Sequence, residues 1–335
     1  MKKRFLLLII LFAQCKSEPQ TETKSGEIKY DDKKKVRYDT DFKEADISSS
    51  LDRSVQKAFF YKTRSYTAKP LVVSLHTWSG SYAQRDSLAA LCKNEDINYI
   101  HPDFRGPDTT GKACCSRFVI ADIDDAIDYA ISNARVDTTR IFIIGVSGGG
   151  YATLAMFMKS KHRIRKFSAW AAISDLDAWF HECRIRKSRY ADDILACTES
   201  PNGLLDEAEA KARSPLFWDL PAGKRSGATL SVYAGIYDGI QGSVPITHSI
   251  NFYNKILSSL AVKDSGSYVS ASETLKLLEY RRPLGDFGKI GGREICLLKK
   301  YRGIQLTIFT GSHEMLPVYA LNELMDKNQH ESQTQ

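Results

Sequence analysis

The chain has 335 residues, of which 43% are hydrophobic, and its Lys and Arg residues outnumber Asp and Glu by 47 to 40. This apolar content is enough for a sizeable core, so intrinsic disorder is excluded for most of the chain. The formal net charge of +7 is spread over short basic runs without a nucleic-acid-binding motif. Nucleic acid is therefore not a predicted partner.

The first residues resemble an export signal. A basic triplet at residues 2–4 precedes an apolar run at residues 5–13 that is too short to span a bilayer. The run ends close to Cys15 in a pattern like a bacterial lipobox, although Gln14 stands where a small residue is usual. We therefore expect a lipoprotein anchored to the membrane of the cell envelope through lipidation of Cys15, on its periplasmic or surface face. Ordinary signal cleavage, with Cys15 incidental, is the alternative.

Polarity and apolar content divide the chain into four segments. Residues 1–15 form the predicted lipoprotein-type signal peptide, and residues 16–30 are polar and predict a flexible tether. Residues 31–327 hold one predicted catalytic domain without an internal repeat, and residues 328–335 form a polar tail. The oligomeric state is not indicated.

The predicted domain opens on strands. The chain from residue 47 to residue 61 is rich in β-forming residues, with a turn near Asp52, and predicts an antiparallel hairpin at a sheet edge. Six short, nearly continuous apolar runs follow, as expected for strands buried on both faces of a parallel sheet. These runs lie at residues 70–75, 97–100, 140–144, 169–173, 228–233 and 306–309.

Helical patterns lie between these runs, and the clearest covers residues 119–134. Isoleucine and alanine recur there every three or four positions, and four aspartates are expected to face away from the core: Asp122, Asp124, Asp125 and Asp128. The alternation predicts an α/β fold with a mostly parallel, doubly wound sheet led by antiparallel strands. Its site should form beyond the carboxyl ends of the strands. Residues 264–302 break the rhythm and are expected to shape one wall of that site.

Residues 145–149 read GVSGG and fit the G-x-S-x-G pattern of a nucleophile elbow. A serine on a sharp strand-to-helix turn needs flanking positions without side chains. The pattern follows a predicted strand and precedes a helical stretch at residues 152–158, which favours Ser147 as a nucleophile over a glycine-rich turn without chemistry. The glycines match neither a P-loop nor a dinucleotide fingerprint, so no cofactor is predicted.

A nucleophilic serine on such an elbow is followed in the chain by an acid and then a histidine. His313 lies after the last predicted strand and before a terminal helix, and is the predicted general base. Asp238 follows the penultimate strand between glycines that permit a tight turn, and is the predicted acid that orients His313. Asp175 and Asp177, after an earlier strand, are the alternatives, although Asp is also common as a helix cap.

Two backbone N–H groups are needed to stabilise the oxyanion formed during attack. One is predicted to belong to Gly148, and the other to Thr77 or Trp78 in the loop after residue 75. His76, in the same loop, and His101, at a strand end, are interpreted as structural. The remaining histidines are expected on surface or helical segments: His162, His181, His248 and His330.

Six cysteines remain after the first, and an even number in an exported protein suggests disulfides. Their spacing does not match a zinc site, so no metal is predicted. At least one disulfide is expected near the site, joining Cys114 or Cys115 to Cys183 or Cys197. The full connectivity cannot be read from the sequence.

The ordered motifs resemble the catalytic domain of the prolyl oligopeptidase family: SLHTWSG, HPDFRGP, DIDDAIDYA, RIFIIGVSGGG, AAISDL, GIYDG and GSHEM. The resemblance runs from about residue 69 to residue 315 and implies an α/β-hydrolase fold with Ser147, Asp238 and His313 as the triad. Two departures are visible. Fewer than fifty residues separate the tether from the hydrolase core, which suits a relative without a β-propeller. The paired glutamates of the dipeptidyl members are not seen either.

These residues predict a serine hydrolase that acts through an acyl-enzyme on a small peptide or ester. One alternative is a carbohydrate esterase of the acetyl or feruloyl type, because some single-domain relatives of the family act on acylated sugars. The other, of a different class, is a non-catalytic surface binding protein on a hydrolase scaffold. Reaction of Ser147 with a fluorophosphonate separates the enzymes from the binding protein.

Overall fold

The computed structural model describes residues 40–327. The predicted signal peptide with Cys15, the tether and the polar tail lie outside these residues, as do the first nine residues of the predicted domain. Within the described range, no helix is long and apolar enough to cross a membrane.

Ten strands of the described residues form one mixed sheet. In chain order they are β1 (Lys43–Ser48), β2 (Val55–Tyr61), β3 (Lys69–Leu75), β4 (Asn98–Pro102), β5 (Val136–Val146), β6 (Lys166–Trp170), β7 (Thr229–Gly235), β8 (Lys289–Ile290), β9 (Arg293–Tyr301) and β10 (Ile304–Phe309). Their spatial order is β1-β2-β4-β3-β5-β6-β7-β10-β9-β8. The strands from β4 to β10 in this order are parallel, and β1 and β2 are antiparallel to their neighbours. The predicted fold class is confirmed.

Helices cover both faces of this sheet. Within the described range they are α1 (Ser87–Asn94), α2 (Arg117–Asn133), α3 (Gly148–Lys159), α4 (Leu176–Ile185), α5 (Tyr190–Cys197), α6 (Glu207–Ala212), α7 (Ile246–Ser259), α8 (Ala271–Tyr280) and α9 (Pro317–Leu324). The larger apolar cluster includes residues of α2, α3 and α7, and a second cluster includes residues of α1 and α9. The sheet is thus buried between two layers, which explains its continuous apolar strands.

One predicted strand is misplaced. The apolar run at residues 169–173 suggested a strand, but β6 ends at Trp170 and the chain turns at Ala171, whose φ is 45°. Residues 171–173 are nevertheless fully buried. They are apolar because the turn packs inside the protein, and the sequence pattern alone does not separate such a turn from a strand.

Residues 264–302 extend the sheet. They contain α8 and the β8–β9 hairpin, and β9 pairs antiparallel with β10 along most of its length. The expectation that this segment shapes one wall of the site did not include the nine-residue strand β9. Charged residues flank the apolar residues of β9 at both ends, so its sequence lacks the nearly continuous apolar run of the parallel strands.

Two of the four α2 aspartates expected at the surface are buried. Asp122 accepts a hydrogen bond from Arg105 Nε at 2.5 Å, and Arg105 also binds Asp52 in the N-terminal hairpin turn. Asp124 accepts one from Ser160 Oγ at 2.6 Å, just after α3. Because a buried carboxylate needs partners, each of these aspartates ties α2 to a neighbouring element.

The C-terminal end of α3 is capped by a buried guanidinium. The last carbonyls of a helix have no partner within the helix, and burial removes water as a substitute. Arg225 donates to four backbone carbonyls at 2.5 to 3.1 Å: those of Met156, Phe157, Ser160 and His162. Arg225 therefore fixes the far end of the helix that begins at the predicted elbow.

Replacing Arg225 with methionine should destabilise the protein, because the buried carbonyls lose their donors. We expect the free energy of unfolding to fall by roughly 3 kcal/mol in urea denaturation. Arg163→Met is the matched control, since Arg163 lies on the same connection and is exposed. Equal losses in the two variants would show that the cap contributes nothing specific.

Candidate active site

Ser147 lies on a strained turn between β5 and α3. Its φ of 60° and ψ of −121° are unfavourable for any residue with a side chain. The turn is possible because its flanks are glycine. A Cβ on Gly145 would lie 2.4 Å from the Gly149 carbonyl carbon, and one on Gly149 would lie 2.2 Å from the Leu75 oxygen. These short contacts explain why both glycines of the G-x-S-x-G pattern must lack a side chain.

Close backbone approach also brings the two predicted oxyanion donors together. A Cβ on Gly148 would lie 2.3 Å from the backbone nitrogen of Trp78. The N–H of Thr77 already donates to Gln84 Oε1 at 2.9 Å. The N–H of Trp78 has no hydrogen-bond acceptor among residues 40–327. Of the two predicted alternatives, Trp78 is therefore the residue that can serve with Gly148.

Trp78 is held at its backbone and at its side chain. Its carbonyl oxygen accepts a hydrogen bond from the N–H of Asp108 at 2.8 Å, and its Nε1 donates to Asp193 Oδ2 at 3.1 Å. Its ring packs against Trp179, with 4.7 Å between ring centroids. The side chain is only 1% exposed, so it belongs to the core and does not form an open wall of the site.

A disulfide joins the two elements that hold Trp78. Cys114, in the loop of Asp108, is bonded to Cys197 at the end of α5, the helix that carries Asp193. This is one of the pairings expected from the sequence. Cys115 and Cys183, the other candidates, are buried free thiols, as are Cys92 and Cys296.

Asp238 and His313 form a hydrogen-bonded pair. Asp238 is 1% exposed, and its Oδ2 lies 2.8 Å from His313 Nδ1. The other carboxylate oxygen accepts from the N–H groups of Gly239 and Val244, at 2.9 and 3.0 Å. A buried charge that accepts three hydrogen bonds is stabilised, and it orients the imidazole. The two loops are joined at their bases, where the N–H of Tyr237 donates to a backbone carbonyl of the His313 loop at 2.9 Å.

The two alternative acids have other partners. Asp175 caps α4 by accepting from the N–H groups of Asp177 and Ala178, at 3.0 and 3.2 Å, and burial raises the pKa of its carboxyl group. Asp177 Oδ1 lies 3.3 Å from His181 Nε2, one turn along the same helix. Both carboxylates thus serve α4 itself, as expected for the capping alternative.

Of the other histidines, His330 lies outside the described residues, and His162 is half-buried, with its Nε2 3.1 Å from the backbone carbonyl oxygen of Asp124. His76 and His101 are buried, and their ring nitrogens contact backbone carbonyls at 2.6 to 2.8 Å, as expected for structural residues. His248 lies in the helix α7, as expected for a helical segment, and is buried there, where its Nδ1 accepts from the N–H of Ser174 at 3.3 Å. Burial lowers its pKa to about 4, so the ring is neutral at pH 7. His181 is exposed.

Sequence reasoning missed Gly242 in the loop after Asp238. A Cβ there would lie 2.3 Å from Asp238 Oδ1 and 2.4 Å from His313 Cβ, so this glycine packs directly against the pair. Arg186, just after α4, donates to the Gly242 carbonyl at 3.1 Å and holds the loop. Neither residue belongs to a recognisable motif, because their roles depend on contacts between distant segments.

The chain is similar to known proteins over part of its length. A family model described as the prolyl oligopeptidase family matches residues 84–195, which include Ser147 and end before Asp238. No curated protein matches. Similar solved structures include an acylaminoacyl peptidase in complex with Z-Gly-Gly-Phe-chloromethyl ketone, at 17% identity and a TM-score of 0.52. They also include a Pyrococcus horikoshii acylaminoacyl peptidase at 16% and 0.51, and a Mycobacterium tuberculosis puromycin-hydrolyzing peptidase at 18% and 0.51.

These matches concern a shared domain. Each covers 65% of this chain and 34% or 35% of the solved chain, so the chain spans about a third of the length of the structures it matches. They confirm the α/β-hydrolase fold and the resemblance to the catalytic domain of the prolyl oligopeptidase family.

Gly242→Ala should damage the site without unfolding the protein, since the added methyl group displaces the Asp238–His313 pair. Displacements of about 1 Å in a catalytic group cost roughly a hundredfold in rate, and we expect that loss in the labelling of Ser147 by a fluorophosphonate. Gly223→Ala is the control, because nothing lies within 4 Å of a Cβ at that position. Wild-type labelling of Gly242→Ala would contradict this account of the loop.

Proposed function

We propose that this protein is a serine peptidase that transfers the acyl group of a small peptide to water through an acyl-Ser147 intermediate. The observation that carries the proposal is the convergence of three features at one edge of the sheet. Ser147 follows β5 on a strained turn, and the hydrogen-bonded Asp238 and His313 follow β7 and β10. The peptidases among the similar structures support a peptide bond as the substrate.

In the first half of the proposed reaction, Ser147 Oγ attacks the carbonyl carbon while His313 takes its proton. The oxyanion accepts hydrogen bonds from the N–H groups of Gly148 and Trp78. The carboxylate of Asp238 stabilises the imidazolium, which then protonates the leaving amine as the C–N bond breaks. In the second half, water attacks the acyl-enzyme and gives its proton to His313. The acid is released when that proton returns to Ser147.

The proposal is tested by labelling and by turnover. A fluorophosphonate should modify the wild-type protein and leave Ser147→Ala unmodified, and a protein that is never labelled would be a binding protein on a hydrolase scaffold. Turnover is then compared on Pro- and Ala-linked peptides, p-nitrophenyl acetate and acetylated xylan. Cleavage of the peptides supports the proposal, whereas exclusive deacetylation of xylan would replace it with a carbohydrate esterase.

The role of Asp238 can be tested against Asp175. In a serine protease, changing the triad Asp to Asn costs about ten-thousandfold in turnover, because the wrong histidine tautomer is held. We expect a comparable loss in kcat for Asp238→Asn with normal folding. Asp175→Asn should retain most of its activity, since asparagine also caps helices. The reverse ranking on one ester substrate would assign the acid to Asp175.

We also propose that the protein is exported and anchored through a lipid on Cys15. The N-terminal pattern and the Cys114–Cys197 disulfide support this proposal, because disulfides persist in oxidising compartments. Labelled palmitate should be incorporated by the wild-type protein and not by Cys15→Ser. An unmodified N-terminus downstream of Cys15, found by mass spectrometry, would refute it.

A further inference from the structure

The connection between α4 and α5 contacts both sides of the proposed site. We call residues 184–189, which are the last two residues of α4 and the connection to α5, the cap turn. On the side of the acid, Arg186 Nη1 lies 3.1 Å from the carbonyl oxygen of Gly242, the glycine packed against Asp238 and His313. On the oxyanion side, Arg189 Nη2 lies 2.6 Å from Ser79 Oγ, one residue after Trp78. The cap turn therefore lies at the rim of the site.

The cap turn is strongly basic. Four of its six residues are cations, and all four are exposed: Arg184, Arg186, Lys187 and Arg189. Glu182, at the end of α4, binds Arg186 Nη2 at 2.6 Å and compensates one of them. On α5, Asp192 is exposed, and Asp193 both accepts a hydrogen bond from Trp78 and lies close enough to Arg189 to interact with its charge. From the acid loop, the backbone carbonyls of Gly242 and Ser243 face Arg186, and the carboxylate of Asp238 lies behind Gly242. The four cations thus lie beside three carboxylates of α4 and α5, those of Glu182, Asp192 and Asp193.

Arg189 is the cation that can act on a substrate. The donors of Arg186 are engaged by backbone carbonyls and by Glu182, so that residue is structural. Within residues 40–327, the guanidinium of Arg189 donates one hydrogen bond, to Ser79 Oγ. Its remaining N–H groups form a planar fork that suits a carboxylate. The bond to Ser79 fixes this fork beside the backbone that binds the oxyanion.

We propose that Arg189 binds a carboxylate of the substrate and makes the enzyme selective for acidic acyl compounds. The inference rests on the proposed function, because it names the substrate class of the same site. The carboxylate can belong to the acyl part or to the leaving group, since Arg189 lies next to the oxyanion loop. The two positions are separated by the choice of test substrates.

The test uses two matched pairs of esters. p-Nitrophenyl butyrate and p-nitrophenyl hemisuccinate differ by a carboxylate on the acyl side, and phenyl acetate and m-acetoxybenzoate differ by one on the leaving-group side. For at least one pair, the ratio of kcat/KM for the anionic over the neutral ester should fall about fivefold in Arg189→Gln. Arg189→Lys should retain part of the preference, and salt should weaken it in the wild type.

Lys187→Gln is the matched control, because it removes a neighbouring exposed cation of the cap turn and should leave both ratios unchanged. Ratios that are unaffected in Arg189→Gln, or that fall equally in Lys187→Gln, would overturn the assignment. If Ser147 is labelled but neither pair is hydrolysed, glutarate and glutaramide are compared as competitors of labelling, with the same expectations. Absence of labelling contradicts the proposed function itself, and this inference falls with it.

Discussion

The site depends on a close approach of two backbone segments, the turn at Ser147 and the loop that contains Trp78. No Cβ fits between these segments, so glycine is required at residues 148 and 149, and Gly145 is required because a Cβ there would meet Gly149 within the turn itself. The same contact places the oxyanion donors side by side. A backbone strained at Ser147 persists only when its surroundings hold it. The central position of β5 in the sheet and the Arg225 cap on α3 provide that support.

Hydrogen bonds and a disulfide hold the loop that contains Trp78 from outside the site. Asp108 binds the carbonyl of Trp78, Asp193 binds its indole nitrogen, and the Cys114–Cys197 disulfide joins the segments that carry these two acids. The donor that would stabilise the transition state is thus fixed by covalent and polar contacts that never touch a substrate. Such preorganisation is the usual source of electrostatic catalysis, because the donors do not have to reorient during the reaction.

Features that depend on residues close together in the sequence could be predicted from it. Ser147, Asp238 and His313 could be found because each follows a recognisable apolar strand, and parallel strands bring their carboxyl ends to one edge. Features that depend on distant partners were missed. Asp122 reads as a surface residue of an amphipathic helix until Arg105 is seen beside it. Likewise, β9 carries charges at both ends, and its place in the sheet follows from pairing with β10 and not from its own hydropathy.

The two edge strands of the described sheet, β1 and β8, are poorly suited to pairing with a strand of another molecule. At one end, β8 has only two residues, and the glycines that follow it, Gly291 and Gly292, both have positive φ. At the other end, β1 reads KEADIS and carries a lysine, a glutamate and an aspartate. Short or charged edge strands prevent edge-to-edge addition of a second sheet. A chain that is still folding passes through states with exposed sheet edges, and this sheet would resist aggregation at both of them.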